Sequence, residues 1–88
     1  MAYKLQKQTL RKMFGSRCML CERPLQKKKC TAHHQIPLSC KGDTTLDNLA
    51  IVCAECSQII HRFEYGSEAY TKLNNVINKN KVKYDKRR

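Results

Sequence analysis

The residue types best able to do chemistry fall in one stretch, residues 31–62, which reads TAHHQIPLSCKGDTTLDNLAIVCAECSQIIHR. It holds all 3 histidines of the chain, His33 and His34 side by side and His61 at its far end. Asn48 opens the short apolar run Asn48-Leu49-Ala50-Ile51-Val52, and Cys53 and Cys56 form a Cys-x-x-Cys pair just after it. A second pair, Cys18 and Cys21, precedes the stretch. An ordinary imidazole titrates near ~6.5, so it can exchange a proton with water at neutral pH, and it also binds metals. Thiolates paired at this spacing bind zinc. Taken singly, a histidine is more often a satisfied strand residue and an asparagine a turn residue. In this order and company they describe a metal-dependent site.

Two uses compete for the 6 cysteines, a disulfide framework and a metal site. The start, Met1-Ala2-Tyr3-Lys4-Leu5, has no apolar signal core, and no window is apolar enough to span a membrane. The expectation is therefore an intracellular protein, cytoplasmic and nucleoid-associated, in which thiols stay reduced and pairs bind zinc. Cys18, Cys21, Cys53 and Cys56 supply the four thiolates of a closed structural site, worth on the order of 10 kcal/mol of folding energy. A rival set of Cys18, Cys21, His34 and Cys40 approaches the spacing of a two-Cys, two-His finger. It needs a helix across Pro37 and would orphan the second pair. Cys30 and Cys40 are left over as packing residues or free thiols.

Several short elements must position these groups. Leu5, Leu10, Met13 and Phe14 share one side of a helix over 3–14, ended by Gly15-Ser16. A strand over 30–35 carries the histidine pair on its end, a turn-rich loop over 38–47 follows, and a second strand over 49–52 returns alongside. The second cysteine pair leads into a helix over 54–63, with Gly66 beyond it. Ser57 and His61, four apart, share a face of that helix. Ser67 is a fair cap for a last helix, on which Tyr70, Leu73, Val76 and Ile77 read as a core stripe. From residue 78 onward apolar periodicity is lost, and the expectation is a frayed basic tail. With 88 residues the chain is expected to be one small domain, divided into a basic helix (1–16), a central unit (17–65) and a helix with tail (66–88). Hydrophobic residues make up 41% and aromatics 7%, with no Trp, so the core needs a staple.

The formal net charge of +11 is unevenly spread. Residues 1–30 carry 9 Lys/Arg against 1 acid, residues 31–66 carry 2 against 4, and residues 67–88 carry 7 against 2. A near-neutral centre between two basic flanks suits a protein that grips a polyanion on either side of its working site. The candidate phosphate contacts are Lys4, Lys7, Arg11 and Lys12 on the first helix, then Lys27, Lys28 and Lys29. Arg62 and the terminal Lys86, Arg87 and Arg88 complete the set. The expected partner is DNA, with RNA left open, and no membrane.

The matching words are Cys18-Met19-Leu20-Cys21, Ala32-His33-His34-Gln35-Ile36-Pro37-Leu38, Gly42-Asp43, Asp47-Asn48-Leu49, Cys53-Ala54-Glu55-Cys56 and Ile60-His61. In these the chain resembles the HNH endonucleases of the ββα-metal (His-Me finger) superfamily, in their zinc-stapled form. Within that family it looks most like the nuclease segment of group II intron-encoded proteins. The resemblance covers residues 17 to about 62. It implies a small α+β fold, a ββα-metal core around a four-cysteine structural zinc, flanked by N- and C-terminal helices. It also implies a phosphodiesterase acting on DNA and leaving 5′-phosphate and 3′-hydroxyl ends. His34 corresponds to the general base and Asn48 to the central Asn that braces the loop. His33 and His61 correspond to ligands of a catalytic Mg²⁺ or Mn²⁺, distinct from the structural Zn²⁺.

The sequence departs from the pattern at Ser57, where the family usually carries His or Asn. A neutral hydroxyl is a poor ligand beside imidazole and would act on the metal through a bridging water. The usual second Gly of the loop turn is also replaced, by Lys41 before Gly42. Two readings stay open at this point. One is an HNH-type endonuclease, weakly active. The other is a zinc-stapled DNA-binding module with a decayed site, part of a phage or mobile-element assembly.

Overall fold

The computed structural model describes residues 2–26 and 29–86, with residues 2–5 described by their backbone alone. Lys27, Lys28, Arg87 and Arg88, and the side chain of Lys4, thus lie outside the described residues. Helix α1 (Ala2–Met13) is followed by a cysteine turn and strand β1 (Cys30–His34). Two short 3-10 turns, Leu38–Cys40 and Leu46–Asn48, lead to strand β2 (Leu49–Cys53), helix α2 (Ala54–His61) and helix α3 (Glu68–Tyr84). The strands pair antiparallel, with Cys30 opposite Cys53, Ala32 opposite Ile51 and His34 opposite Leu49. This is the small α+β arrangement expected from the sequence.

Leu49, Ala50, Ile51 and Val52 are all buried, which explains why β2 reads as a continuous apolar run instead of an alternating one. Both α1 and α2 pack on the two-stranded sheet, and Leu10, Phe14, Met19, Ile60 and Ile77 close the core around it. Helix α1 ends where Gly15 (φ 69) and Ser16 (φ 56) turn left-handed, and Ser16 N donates to Arg11 O at 2.7 Å. Arg11 and Lys12 in its last turn complement the helix dipole.

The loop between the strands is held by polar contacts. Asn48 Nδ2 donates to Ile36 O (3.0 Å) and Asp43 O (2.7 Å), while its Oδ1 accepts from Ile36 N at 2.9 Å. Gly42 N donates to Pro37 O at 3.0 Å, and a Cβ at position 42 would overlap the Ile36 carbonyl. One glycine therefore suffices for this turn. Lys41 takes the left-handed conformation beside it (φ 67), at a position where glycine is the easier residue.

The C-terminal segment differs from the sequence-based expectation. Residues 78–84 do not fray: α3 runs on to Tyr84. Its inward stripe continues with polar residues where apolar ones stop. Buried Asn80 donates to Met19 O at 2.8 Å, and Tyr84 Oη donates to Glu22 Oε1 at 2.6 Å. Lys81 Nζ donates to Gln35 Oε1 (2.7 Å), Leu49 O (2.9 Å) and Asp47 O (3.0 Å). Val76, expected in the core stripe, is 41% exposed, because Ile77 and Asn80 face inward instead.

Removing a buried donor leaves its acceptor unpaired, at a cost of about 1–3 kcal/mol. Asn80→Ala should therefore lower the stability of the metal-loaded protein by about that amount in urea unfolding, whereas Val82→Ala on the exposed face should stay within about 0.5 kcal/mol. Equal effects would mean that α3 is held by its apolar contacts alone.

Candidate active site

Cys18 and Cys21 lie on a tight turn in which Glu22 N donates to Cys18 O at 2.9 Å. Met19 N donates to Ile51 O at 2.9 Å, which docks that turn on β2. Cys53 ends β2 and caps α2, its sulfur accepting from Cys56 N at 3.5 Å. The four sulfurs of Cys18, Cys21, Cys53 and Cys56 lie within 4.8 Å of one another. Cys21 and Cys53 sulfurs are 3.9 Å apart, and all six cysteines are free thiols. A tetrahedral zinc with Zn–S bonds near ~2.3 Å spaces its sulfurs roughly 3.8 Å apart. Cys18 Sγ also accepts from Leu20 N (3.4 Å), Cys21 N (3.5 Å) and Cys53 N (3.3 Å). Among the described residues this is the one cluster of three or more potential metal ligands. Cys30 is buried and Cys40 exposed, and neither joins it.

The charges in this cluster show what it lacks without a cation. Burial, neighbouring sulfurs and their hydrogen bonds push the Cys56 thiol far up, and burial pushes Cys18 up as well. Burial also works against the Cys21 thiolate, but hydrogen bonds from Arg23 outweigh it and leave Cys21 at about 7. Arg23 Nε sits 3.4 Å from that sulfur. A bound dication would supply the compensation that the Cys18 and Cys56 thiols need. Four thiolate donors at this spacing fit zinc.

The histidines line a site of their own. His33 and His34, closing β1, and His61, the last residue of α2, line one cavity of about 230 Å³ together with Pro37, Ile60, Phe63, Tyr65 and Tyr70. His33 is buried, its ring centre 6.1 Å from that of His61, and the rings meet edge to face. His34 is half-buried, with Nε2 3.3 Å from Thr44 Oγ1. Ser57, one turn before His61, is buried and does not line the cavity. Asn48 touches backbone atoms of the loop, as described above, and holds the segment that follows the histidine pair.

Three contributors to this site carried no sequence signal of their own. Thr44 belonged to a polar loop, and Gln35 and Tyr70 read as strand and core residues. Tyr70 Oη lies 3.1 Å from His33 Nε2 and donates to Gln35 O at 2.8 Å. Gln35 Nε2 donates to Asn78 (2.7 Å) and Asn74 (3.1 Å), which ties the end of β1 to α3. Of the expected phosphate contacts, Lys12, Lys29, Arg62 and Lys86 are exposed, and Lys7 and Arg11 are partly so. Lys86 N donates to Met13 O at 2.8 Å, which brings the end of α3 onto the end of α1 beside Arg11 and Lys12.

Burial, then the charges of His61 and His34, lower the His33 imidazole to about 4. An unfolded imidazole titrates near ~6.5. The stability gained by burying His33 neutral is therefore full above ~6.5 and is lost as pH falls toward 4. NMR of the metal-loaded protein should find its ring resonances stationary between about pH 5.5 and 8. Movement centred near ~6.5 would contradict its burial. Metal analysis should find close to one tightly held zinc per chain, and stripping it with a chelator should unfold the protein.

A family model described as HNH endonuclease matches residues 18–63, which run from the first cysteine to just past His61. No curated protein and no solved structure matches the chain. Among the described residues no helix is long and apolar enough to cross a membrane. The matched segment is more than half the chain and holds both cysteine pairs, the histidine pair, Asn48 and His61, so the chain belongs to the HNH endonuclease family.

Proposed function

We propose that the chain is a metal-dependent DNA endonuclease that hydrolyses phosphodiester bonds with His34 as general base. The observation that carries this reading is the meeting of His33, His34 and His61 around one cavity, in a chain of this family. His34 takes the proton of the attacking water, and the Thr44 hydroxyl steadies its ring. Asn48 acts indirectly, by fixing the loop that leaves the histidine pair. His33, kept neutral by burial, and His61 would hold Mg²⁺ or Mn²⁺, which would supply charge neutralisation at the scissile phosphate. Imidazole donors favour transition ions, so Mn²⁺ should support cleavage at lower concentration than Mg²⁺.

The second reading, a binding module with a decayed site, is favoured by one observation. Ser57, which stands where the family usually carries a further ligand, offers only a neutral hydroxyl, and it is buried outside the histidine cavity. Incubation of supercoiled plasmid with Mn²⁺, Mg²⁺ or EDTA separates the two. Metal-dependent nicking that falls about 10²–10⁴-fold in His34→Ala supports the enzyme. Intact DNA binding with no nicking under any ion supports the module. In an active protein, Ser57→Asn should lower the Mn²⁺ concentration needed for half-maximal rate, and an unchanged titration would remove residue 57 from the metal's surroundings.

DNA binding rests on the basic flanks, above all on Arg11, Lys12 and Lys86 where α1 and α3 meet. Each phosphate contact adds about −0.9 to the slope of log affinity against log salt. Arg11→Gln with Lys12→Gln should flatten that slope by about 1.8 without changing sequence preference. Deleting the end of α3 is a poorer probe, because Asn80, Lys81 and Tyr84 hold the fold. An unchanged slope in the double variant would mean that this end of the molecule does not touch DNA.

A further inference from the structure

Tyr70 lies on α3, outside the segment matched by the family model. Its hydroxyl is surrounded by three polar atoms: Gln35 O at 2.8 Å, His33 Nε2 at 3.1 Å and His34 O at 3.4 Å. Two of these are carbonyl oxygens and can only accept. A phenol has one proton, and the short contact to Gln35 O claims it, since two oxygens 2.8 Å apart with no proton between them repel. The phenolic oxygen then faces His33 with its lone pairs, so His33 Nε2 must be the donor.

We propose that Tyr70 is a positioning residue that holds His33 as its Nε2–H tautomer, leaving Nδ1 as the nitrogen whose lone pair serves the cation. This rests on the metal-ligand role given to His33 above. A ligating histidine gains orientation and basicity when its other ring nitrogen donates to a fixed acceptor. Tyr70 meets that need well. It is 5% exposed, and its ring is braced edge-on by Tyr65 with centres 5.4 Å apart. The same hydroxyl also fixes the backbone just past the histidine pair, because its proton goes to Gln35 O. One hydroxyl from α3 thus aligns a metal ligand and the chain carrying the general base.

The test begins on the unaltered, zinc-loaded protein. Long-range ¹H–¹⁵N spectra should show His33 neutral with the proton on Nε2. Tyr70→Phe keeps the ring and its contact with Tyr65 but removes the acceptor, so the His33 signals should shift toward the Nδ1–H form or a mixture. Free-ion EPR titration with Mn²⁺ should show the affinity of Tyr70→Phe falling by about 10-fold or more, the usual scale for loss of such a partner. Amide spectra confirm that the variant is folded. An Nδ1–H tautomer in the wild type overturns the proposal without reference to any variant. A folded Tyr70→Phe with unchanged tautomer and Mn²⁺ affinity also overturns it and reduces Tyr70 to packing. A wild type with the Nε2–H tautomer that binds no Mn²⁺ upholds the Tyr70 contact and removes His33 from the metal-ligand role.

Discussion

Four sulfurs within 4.8 Å are a problem in electrostatics before they are a feature of the fold. Ionised together in a partly buried site they repel, and protonated together they make only weak contacts. A dication would resolve this, and in doing so would tie three separate pieces of chain. Cys18 and Cys21 come from the turn after α1, Cys53 ends β2, and Cys56 lies in the first turn of α2. With 88 residues and few aromatics, apolar burial alone gives these pieces little reason to hold one angle. A metal held by these four cysteines would fix the direction in which α2 leaves the sheet, and with it the place of His61 at the far end of that helix.

The hairpin is secured by different physics at its two ends. At the Cys30–Cys53 end the constraint is charge, through the cysteine cluster. At the His34–Leu49 end it is directional hydrogen bonding, through Asn48 and the close approach of Gly42 to the Ile36 carbonyl. The same burial acts on each set of groups with opposite effect. It pushes the Cys18 and Cys56 thiols up, which makes the cysteine cluster call for a cation, and it pushes His33 down, which keeps that imidazole neutral. The cysteine cluster thus calls for a cation to balance its charge, whereas burial holds His33 uncharged by itself.

Much of this was legible in the sequence because the signals were local. The paired cysteines, the histidine pair before Pro37, the apolar run of β2 and the Ser67 cap each specify geometry within a few residues. The elements over 30–34 and 49–53 follow from them almost to the residue. What escaped were contacts between polar side chains distant in sequence. Apolar periodicity faded at Ile77, yet the helix continued, because Asn80, Lys81 and Tyr84 occupy inward positions with partners 32 or more residues away. Tyr70 illustrates the same limit. Its burial was evident from spacing, but a hydroxyl's partners have no period and leave no pattern to read.

Gln35 shows why this polar face matters to the site. It follows the histidine pair directly, and its side chain and main chain are both engaged. Its amide group spans Asn74, Asn78 and Lys81 on α3, its carbonyl accepts from Tyr70, and its N–H donates to Asn48 O at 2.8 Å. An apolar contact at this point would let β1 slide on α3 at small cost, since dispersion depends weakly on direction. Hydrogen bonds of fixed length and angle do not permit that. A site whose two imidazoles come from adjacent residues of one strand end needs this kind of hold, because a shift along the strand would misplace both at once. Helix α3 therefore supplies position where the ββα segment supplies chemistry, and its polar residues are the part of the chain that joins the two.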